Sequence, residues 1–169
     1  MSAASKLDAA SPDEAADALR RCCGASRWVQ GMLARRPFGD DATLLAVADA
    51  VWAAMERDDV LEALSHHPEI GASLDALRER YASTATWAAG EQASVAQADE
   101  ATLVALRDGN VRYRERFGHI FVVCATGKSA AEMLALLRAR IDNAPADELR
   151  IAAAEQAKIT RLRLEKLDA

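Results

Sequence analysis

Cysteine, proline, glycine, aromatic residues and long apolar runs are all scarce in this chain, and each scarcity removes a class of protein. The three cysteines are Cys22, Cys23 and Cys124. An odd count with two of them adjacent offers neither a disulfide framework nor a metal-ligand spacing, so they read as reduced thiols. The histidines, His66, His67 and His119, form no His-x-His or His-x-x-x-His pair, and no metal site is expected. No apolar stretch approaches the roughly 18 residues of a membrane span. The opening MSAASKLDAASPDEAADALR lacks the apolar core of a signal peptide and carries Asp8, Asp13 and Glu14 early. The closing Leu167-Asp168-Ala169 is not a peroxisomal address. No membrane association and a cytoplasmic location are the expectations. A surplus of positive charge is missing too. The net charge is −5, without the basic footprint that nucleic-acid binders carry, so no nucleic-acid partner is expected.

What is present is alanine and charge. Hydrophobic residues make up 51% of the 169 residues, yet aromatics only 5%. Alanine loses no side-chain entropy on entering a helix, so this composition favours helices. Ser11-Pro12-Asp13-Glu14 has the form of a capping box with proline at the first helical position. That helix runs through Leu19 and breaks near Gly24. A second spans Ser26 to about Arg35, before Pro37. Asp40-Asp41 caps a third, with Leu44, Leu45, Val47, Ala48, Val51, Trp52 and Met55 at helical spacing. Asp58 or Asp59 opens a fourth, which Pro68 ends by forcing the preceding residue out of the α region.

Residues 72–83 are amphipathic, residues 84–90 are loop-like, and a helix is expected from Glu91 to about Arg107. Asp108-Gly109-Asn110 reads as a turn before another helical stretch to Phe117-Gly118. His119 to Ala125 is apolar and β-branched, which suggests a short buried extended segment or a buried helical turn. Ser129 and Glu132 cap a helix over 130–142, and a final helix covers about Ala146 to Leu167. The expectation is an all-α, single-domain bundle over residues 1–169, with about eight helices.

Each polar motif has a structural and a chemical reading. His66 and His67 sit where a histidine often just meets the last carbonyls of a helix. Imidazole is also the side chain that titrates near neutrality unaided, so one of the two could serve as general acid or base. Adjacent residues on a helix cannot both face one pocket. Gly127-Lys128-Ser129 is not a phosphate loop, because that motif needs glycine where Val122 stands. Glu91-Gln92 suits a helix start electrostatically, and side by side the pair could also read a ureido or amide group. Arg161 and Arg163 point about 200° apart on a helix. Arg161 is placed to pair with Glu165, while Arg163 continues the Glu155–Ile159 face and suits a planar carboxylate.

Taken in order, four segments carry a resemblance: His67-Pro68-Glu69-Ile70-Gly71; Trp87-Ala88-Ala89-Gly90-Glu91-Gln92; Phe117-Gly118-His119-Ile120-Phe121, running on to Gly127-Lys128-Ser129; and Glu155 to Leu164. Together they resemble the 2-oxo-4-hydroxy-4-carboxy-5-ureidoimidazoline (OHCU) decarboxylases over roughly residues 35 to 167. The resemblance implies cofactor-independent loss of CO₂ from OHCU to give (S)-allantoin in uric acid breakdown. It implies His67 as acid/base, Glu91 holding substrate and His67, and Arg163 on anionic or carbonyl oxygens. Pro68, Ala88, Gln92, His119, Ile120, Phe121, Val122 and Val123 would line the substrate site. Urate oxidase and hydroxyisourate hydrolase would be functional neighbours, and a homodimer is implied. Two departures bear on the pocket: Ala88 stands where the family has serine, and His119-Ile120 where it often has Phe-Pro. A related ureide-metabolising enzyme on the same scaffold, or a helical interaction module without chemistry, are the competing readings.

Overall fold

The computed structural model describes residues 1–81 and 92–168; the side chains of 92–99 and of 168 lie outside that description. Among the described residues there are nine α-helices and no strand, and no helix is long and apolar enough to cross a membrane. The chain divides into two compact units, residues 1–67 with 149–169, and residues 68–148.

The first unit begins with α1 (Ala3–Ala9), α2 (Pro12–Cys22), α3 (Ser26–Leu33), α4 (Asp41–Ala53) and α5 (Arg57–Ser65). Most of α9 (Pro145–Glu165) belongs to it as well. Its helix starts follow the expected chemistry. The Ser11 hydroxyl accepts the Glu14 N–H and the Glu14 carboxylate accepts the Ser11 N–H, closing the capping box. Asp40 accepts from the Thr43 N–H at 2.7 Å. At α5 the cap is Glu56, because the Asp59 carboxylate turns back to the Glu56 N–H at 2.9 Å and the helix opens at Arg57. Helix α1 has no amphipathic signature in the sequence, since Leu7 is its one large apolar residue; Ala3, Ala4 and Leu7 nevertheless sit in the core. That core gathers Leu19, Trp28, Met32, Leu44 and Leu164, each at most 1% exposed. Complete burial of such a side chain contributes about 1.5–3 kcal/mol. The Trp28 indole N–H is satisfied by the Ala48 carbonyl at 3.2 Å.

The second unit holds a 3-10 turn (Ile70–Ala72), α6 (Leu74–Tyr81), α7 (Gln92–Phe117) and α8 (Ala130–Arg140). Leu77, Leu103, Leu106, Leu134 and Leu137 form its core. The expected turn at Asp108-Gly109-Asn110 does not exist; α7 runs straight through it. The physical reason is packing. A Cβ on Gly109 would stand 2.9 Å from Leu137 Cδ2, so glycine here admits α8 at close range. Asn110 supports the helix by donating its side-chain amide to the Leu106 carbonyl at 2.8 Å. The real stop is Gly118, whose φ of 78° is the left-handed conformation that closes many helices.

Residues 120–125 then adopt neither helix nor strand. With no strand beside it to pair with among the described residues, the β-branched run is held by side chains instead. Arg140 Nη1 donates to the Val122 carbonyl at 2.9 Å, and Lys128 Nζ to the Cys124 carbonyl at 2.8 Å. Ser129 accepts from the Glu132 N–H and starts α8 as expected.

Candidate active site

In the first unit the chemistry gathers where α5 ends. The backbone N–H groups of His66 and His67 close back on the Ala63 and Leu64 carbonyls. His66 is exposed, and its ring lies over the backbone of Gly24. His67 is half-buried, and its Nε2–H donates to Gln156 Oε1 at 2.5 Å. The Gln156 amide in turn donates to Thr160 Oγ1 at 3.0 Å, and the Thr160 side chain acts on the Cys23 thiol. Gln156, Thr160 and Arg163 are spaced i, i+4, i+7 and therefore share a face of α9. Arg163 also continues the neighbouring Glu155–Ile159 line, since α9 is unbroken over these positions.

The electrostatics favour a neutral imidazole. Burial is the largest influence holding the His67 ring below its usual 6.5; the Coulombic influences of Arg163 and His66 act in the same direction, and the Gln156 hydrogen bond opposes them. Burial also pushes the Cys22 and Cys23 thiols up to about 11 each, which leaves them protonated and poor nucleophiles. Arg163 itself is exposed and donates to the Arg21 carbonyl at 3.4 Å. Arg161 faces elsewhere, pairing with Asp49 at 3.1 Å and with Glu165 at 3.7 Å.

The second unit contains a cavity of about 440 Å³. Pro68, Ile120 and Phe121 line it together with polar groups from Asn110, Arg114 and Glu115, and Arg114 is paired with Glu69. Of the other residues singled out in this segment, Val122 and Val123 are buried. His119 packs into an aromatic group, its ring 5.6 Å from that of Tyr113 and 6.0 Å from that of Phe117. Its Nδ1–H donates to the Ile120 carbonyl at 3.1 Å. Behind the segment, the buried Glu148 accepts from Arg140 Nε at 2.8 Å, from the Tyr113 hydroxyl and from the Asn143 amide. The Arg140 guanidinium lies 4.6 Å from the centre of the Phe121 ring.

Ala88 and Glu91 lie outside the described residues, as does the side chain of Gln92, which opens α7. Among the described residues no group of three or more His, Cys, Asp or Glu is placed to hold a metal ion. Gln156 and Thr160 were not singled out from the sequence. Their i, i+4 spacing in line with the buried Ala152 and Leu164 was the available signal. The Arg140–Glu148–Tyr113 group had none, because its members are 35 residues apart in the chain at their most distant.

Comparison with known proteins covers both units. The OHCU decarboxylase family profile matches residues 8–165. The uric acid degradation bifunctional protein of Arabidopsis thaliana is 36% identical over 157 residues, covering 89% of this chain and 46% of the plant protein. An OHCU decarboxylase of Haloferax volcanii is 29% identical over 153 residues, 90% of this chain and 88% of that protein. Among solved structures, an OHCU decarboxylase crystallised in the presence of (S)-allantoin superposes with a TM-score of 0.71 at 36% identity, covering 89% of this chain and 96% of that one. An (S)-allantoin synthase at 21% identity shares the fold, with a TM-score of 0.64. The chain thus spans about half the length of the plant relative. With its profile match across both units, the chain belongs to the OHCU decarboxylase family.

Proposed function

We propose that the chain decarboxylates OHCU to (S)-allantoin without an organic cofactor or metal. The observation that carries this reading is the environment of His67: a half-buried imidazole, hydrogen-bonded through Nε2 and biased toward neutrality by burial and by Arg163. A neutral imidazole is what a general base requires at physiological pH.

The substrate needs little beyond positioning. Its carboxylate leaves from a carbon that bears a hydroxyl and adjoins a C=N carbon carrying the ureido group. When the carbon–carbon bond breaks, the electron pair enters that C=N and CO₂ departs. His67 takes the hydroxyl proton as the carbonyl forms and returns a proton to the ureido-bearing carbon on one face. The nitrogen that received the pair takes its proton from water. The imine is the electron sink, which is why neither pyridoxal nor thiamine chemistry is called for.

Arg163 would grip anionic or carbonyl oxygens, as a guanidinium does with two parallel hydrogen bonds. Glu91 would hold substrate and His67 in register, with Gln92 on the ureido or ring amides. Pro68, Ala88 and the backbone from His119 to Val123 would complete the substrate site. Ala88 provides no hydroxyl there, so one hydrogen bond to substrate would come from elsewhere or be absent.

The same reading makes residues 1–169 one folding domain, supported by a family match that runs across both compact units. It places the protein in the cytoplasm as a homodimer, downstream of urate oxidase and hydroxyisourate hydrolase. The test is a coupled assay from urate, in which those two enzymes generate OHCU and this protein is added while absorbance and circular dichroism are followed. Accelerated loss of OHCU with build-up of one allantoin enantiomer is expected. Decay at the rate without protein, ending in racemic allantoin, would overturn the proposal.

A further inference from the structure

Two buried side chains behind the imidazole decide which ring nitrogen can move a proton. Gln156 is 1% exposed and Thr160 5%. They lie one turn apart on α9, and the Gln156 amide nitrogen donates to Thr160 Oγ1 at 3.0 Å. With the amide nitrogen on Thr160, its carbonyl oxygen faces His67 Nε2 at 2.5 Å. A carbonyl oxygen can only accept, so Nε2 carries the hydrogen, and in the neutral ring Nδ1 holds the lone pair. The hydrogen bond survives protonation, because Nε2 remains a donor in the imidazolium. The ring therefore need not rotate between accepting a proton and giving one back.

We infer that Gln156, braced by Thr160, is a positioning residue for His67, fixing tautomer and ring rotation so that Nδ1 takes and returns the proton during turnover. This rests on the reading of His67 as the acid/base. A leucine would fill the Gln156 site, in line with Ala152 and Leu164, both fully buried. What the amide adds over a leucine is direction. The groups that face the ring are Arg163 from α9 and His66 from the end of α5, both Coulombic influences that disfavour the imidazolium, while Gln156 favours it. Removing Gln156 and removing Arg163 must then move the His67 titration in opposite directions.

The experiment uses the full-length chain labelled with ¹⁵N-histidine, read by long-range ¹H–¹⁵N correlation NMR alongside steady-state kinetics on OHCU. In the wild type, His67 is expected to show a protonated Nε2 whose hydrogen exchanges slowly, with an unprotonated Nδ1. Gln156→Leu should lose the slow exchange, lower kcat about 10- to 100-fold with KM within about twofold, and move the acid limb of the kcat–pH profile to lower pH. Gln156→Glu keeps an acceptor and adds negative charge, so it should restore the slowly exchanging hydrogen and move the limb to higher pH. Thr160→Val removes the brace alone and should give the Gln156→Leu changes in weaker form; it also serves if Gln156→Leu does not fold. A wild-type ring protonated on Nδ1, or a Gln156→Leu protein with unchanged ring signals and pH limb, would overturn the inference. Wild-type protein with the expected ring signals but no turnover of OHCU would overturn the functional reading instead, leaving the hold of Gln156 on the ring intact.

Discussion

An imidazole acts as a base only while it is uncharged, and the surroundings of His67 extend that range toward acid. Because the folded ring titrates below its ordinary value, the unfolded chain binds a proton that the folded one does not between those two pH values. The contribution to stability is therefore complete above pH ~6.5 and is lost as pH falls toward the folded value. Thermal melting of the wild type and of His67→Asn, followed between pH 7.5 and 5.5, should show a smaller loss of stability in the mutant as pH falls. Equal losses would show that His67 does not titrate as its burial implies. In the coupled assay, His67→Asn is expected to lower kcat/KM by about 10²–10⁴-fold, the usual contribution of a positioned acid/base. His66→Ala should stay near wild type, since its ring is exposed over Gly24. The reverse pattern would mean that the other ring is the catalytic one.

At the scale of elements, two features trade local propensity against packing. Gly109 lies inside α7, where alanine would be about 1 kcal/mol better by intrinsic helix propensity. Its missing Cβ is the space that Leu137 of α8 occupies, and overpacking typically costs about 1–3 kcal/mol. Gly109→Ala should therefore lower the urea unfolding midpoint; an increase would show that α8 yields easily. The irregular segment 120–125 depends on Arg140, which holds the Val122 carbonyl, covers the Phe121 ring and pairs with Glu148. Glu148 is fully buried, so Arg140→Leu would leave a buried charge without its main partner, a change that typically costs 3–5 kcal/mol. Circular dichroism melts should register it as a large loss. An effect within ~0.5 kcal/mol, the range of ordinary surface substitutions, would mean that the tyrosine and asparagine bonds suffice for Glu148.

At the scale of the whole molecule, the two hydrophobic cores raise the question of cooperativity. One core is centred on Trp28, Leu19 and Leu44 and the other on Leu106 and Leu137. If residues 1–169 form one domain, calorimetry should give a single transition whose calorimetric and van't Hoff enthalpies agree. Two resolved transitions would assign separate folding to the two units. Helices α2, α3, α4, α8 and α9 were legible in the chain because caps such as Ser11–Glu14 and Asp40, and breakers such as Pro37, act over three or four residues. The turn expected at Asp108-Gly109-Asn110 failed for the opposite reason: a glycine that looks like a local break is there for a helix some thirty positions away.

The same division runs through the site. The chain's local patterns carry the all-α class, several helix starts, such as those at Ser11, Asp40 and Ser129, and the family, and they single out His67 for the proposal, because capping, proline restriction and ordered motifs are written in short stretches of chain. Tertiary packing decided that Gln156 accepts the Nε2 hydrogen of that imidazole and that Thr160 accepts from the Gln156 amide. It also decided that a buried arginine–glutamate pair, not a β-ladder, fixes the segment after Gly118. Those contacts join residues as much as 89 positions apart, and no local pattern in the chain specifies which distant side chain will satisfy a buried polar group.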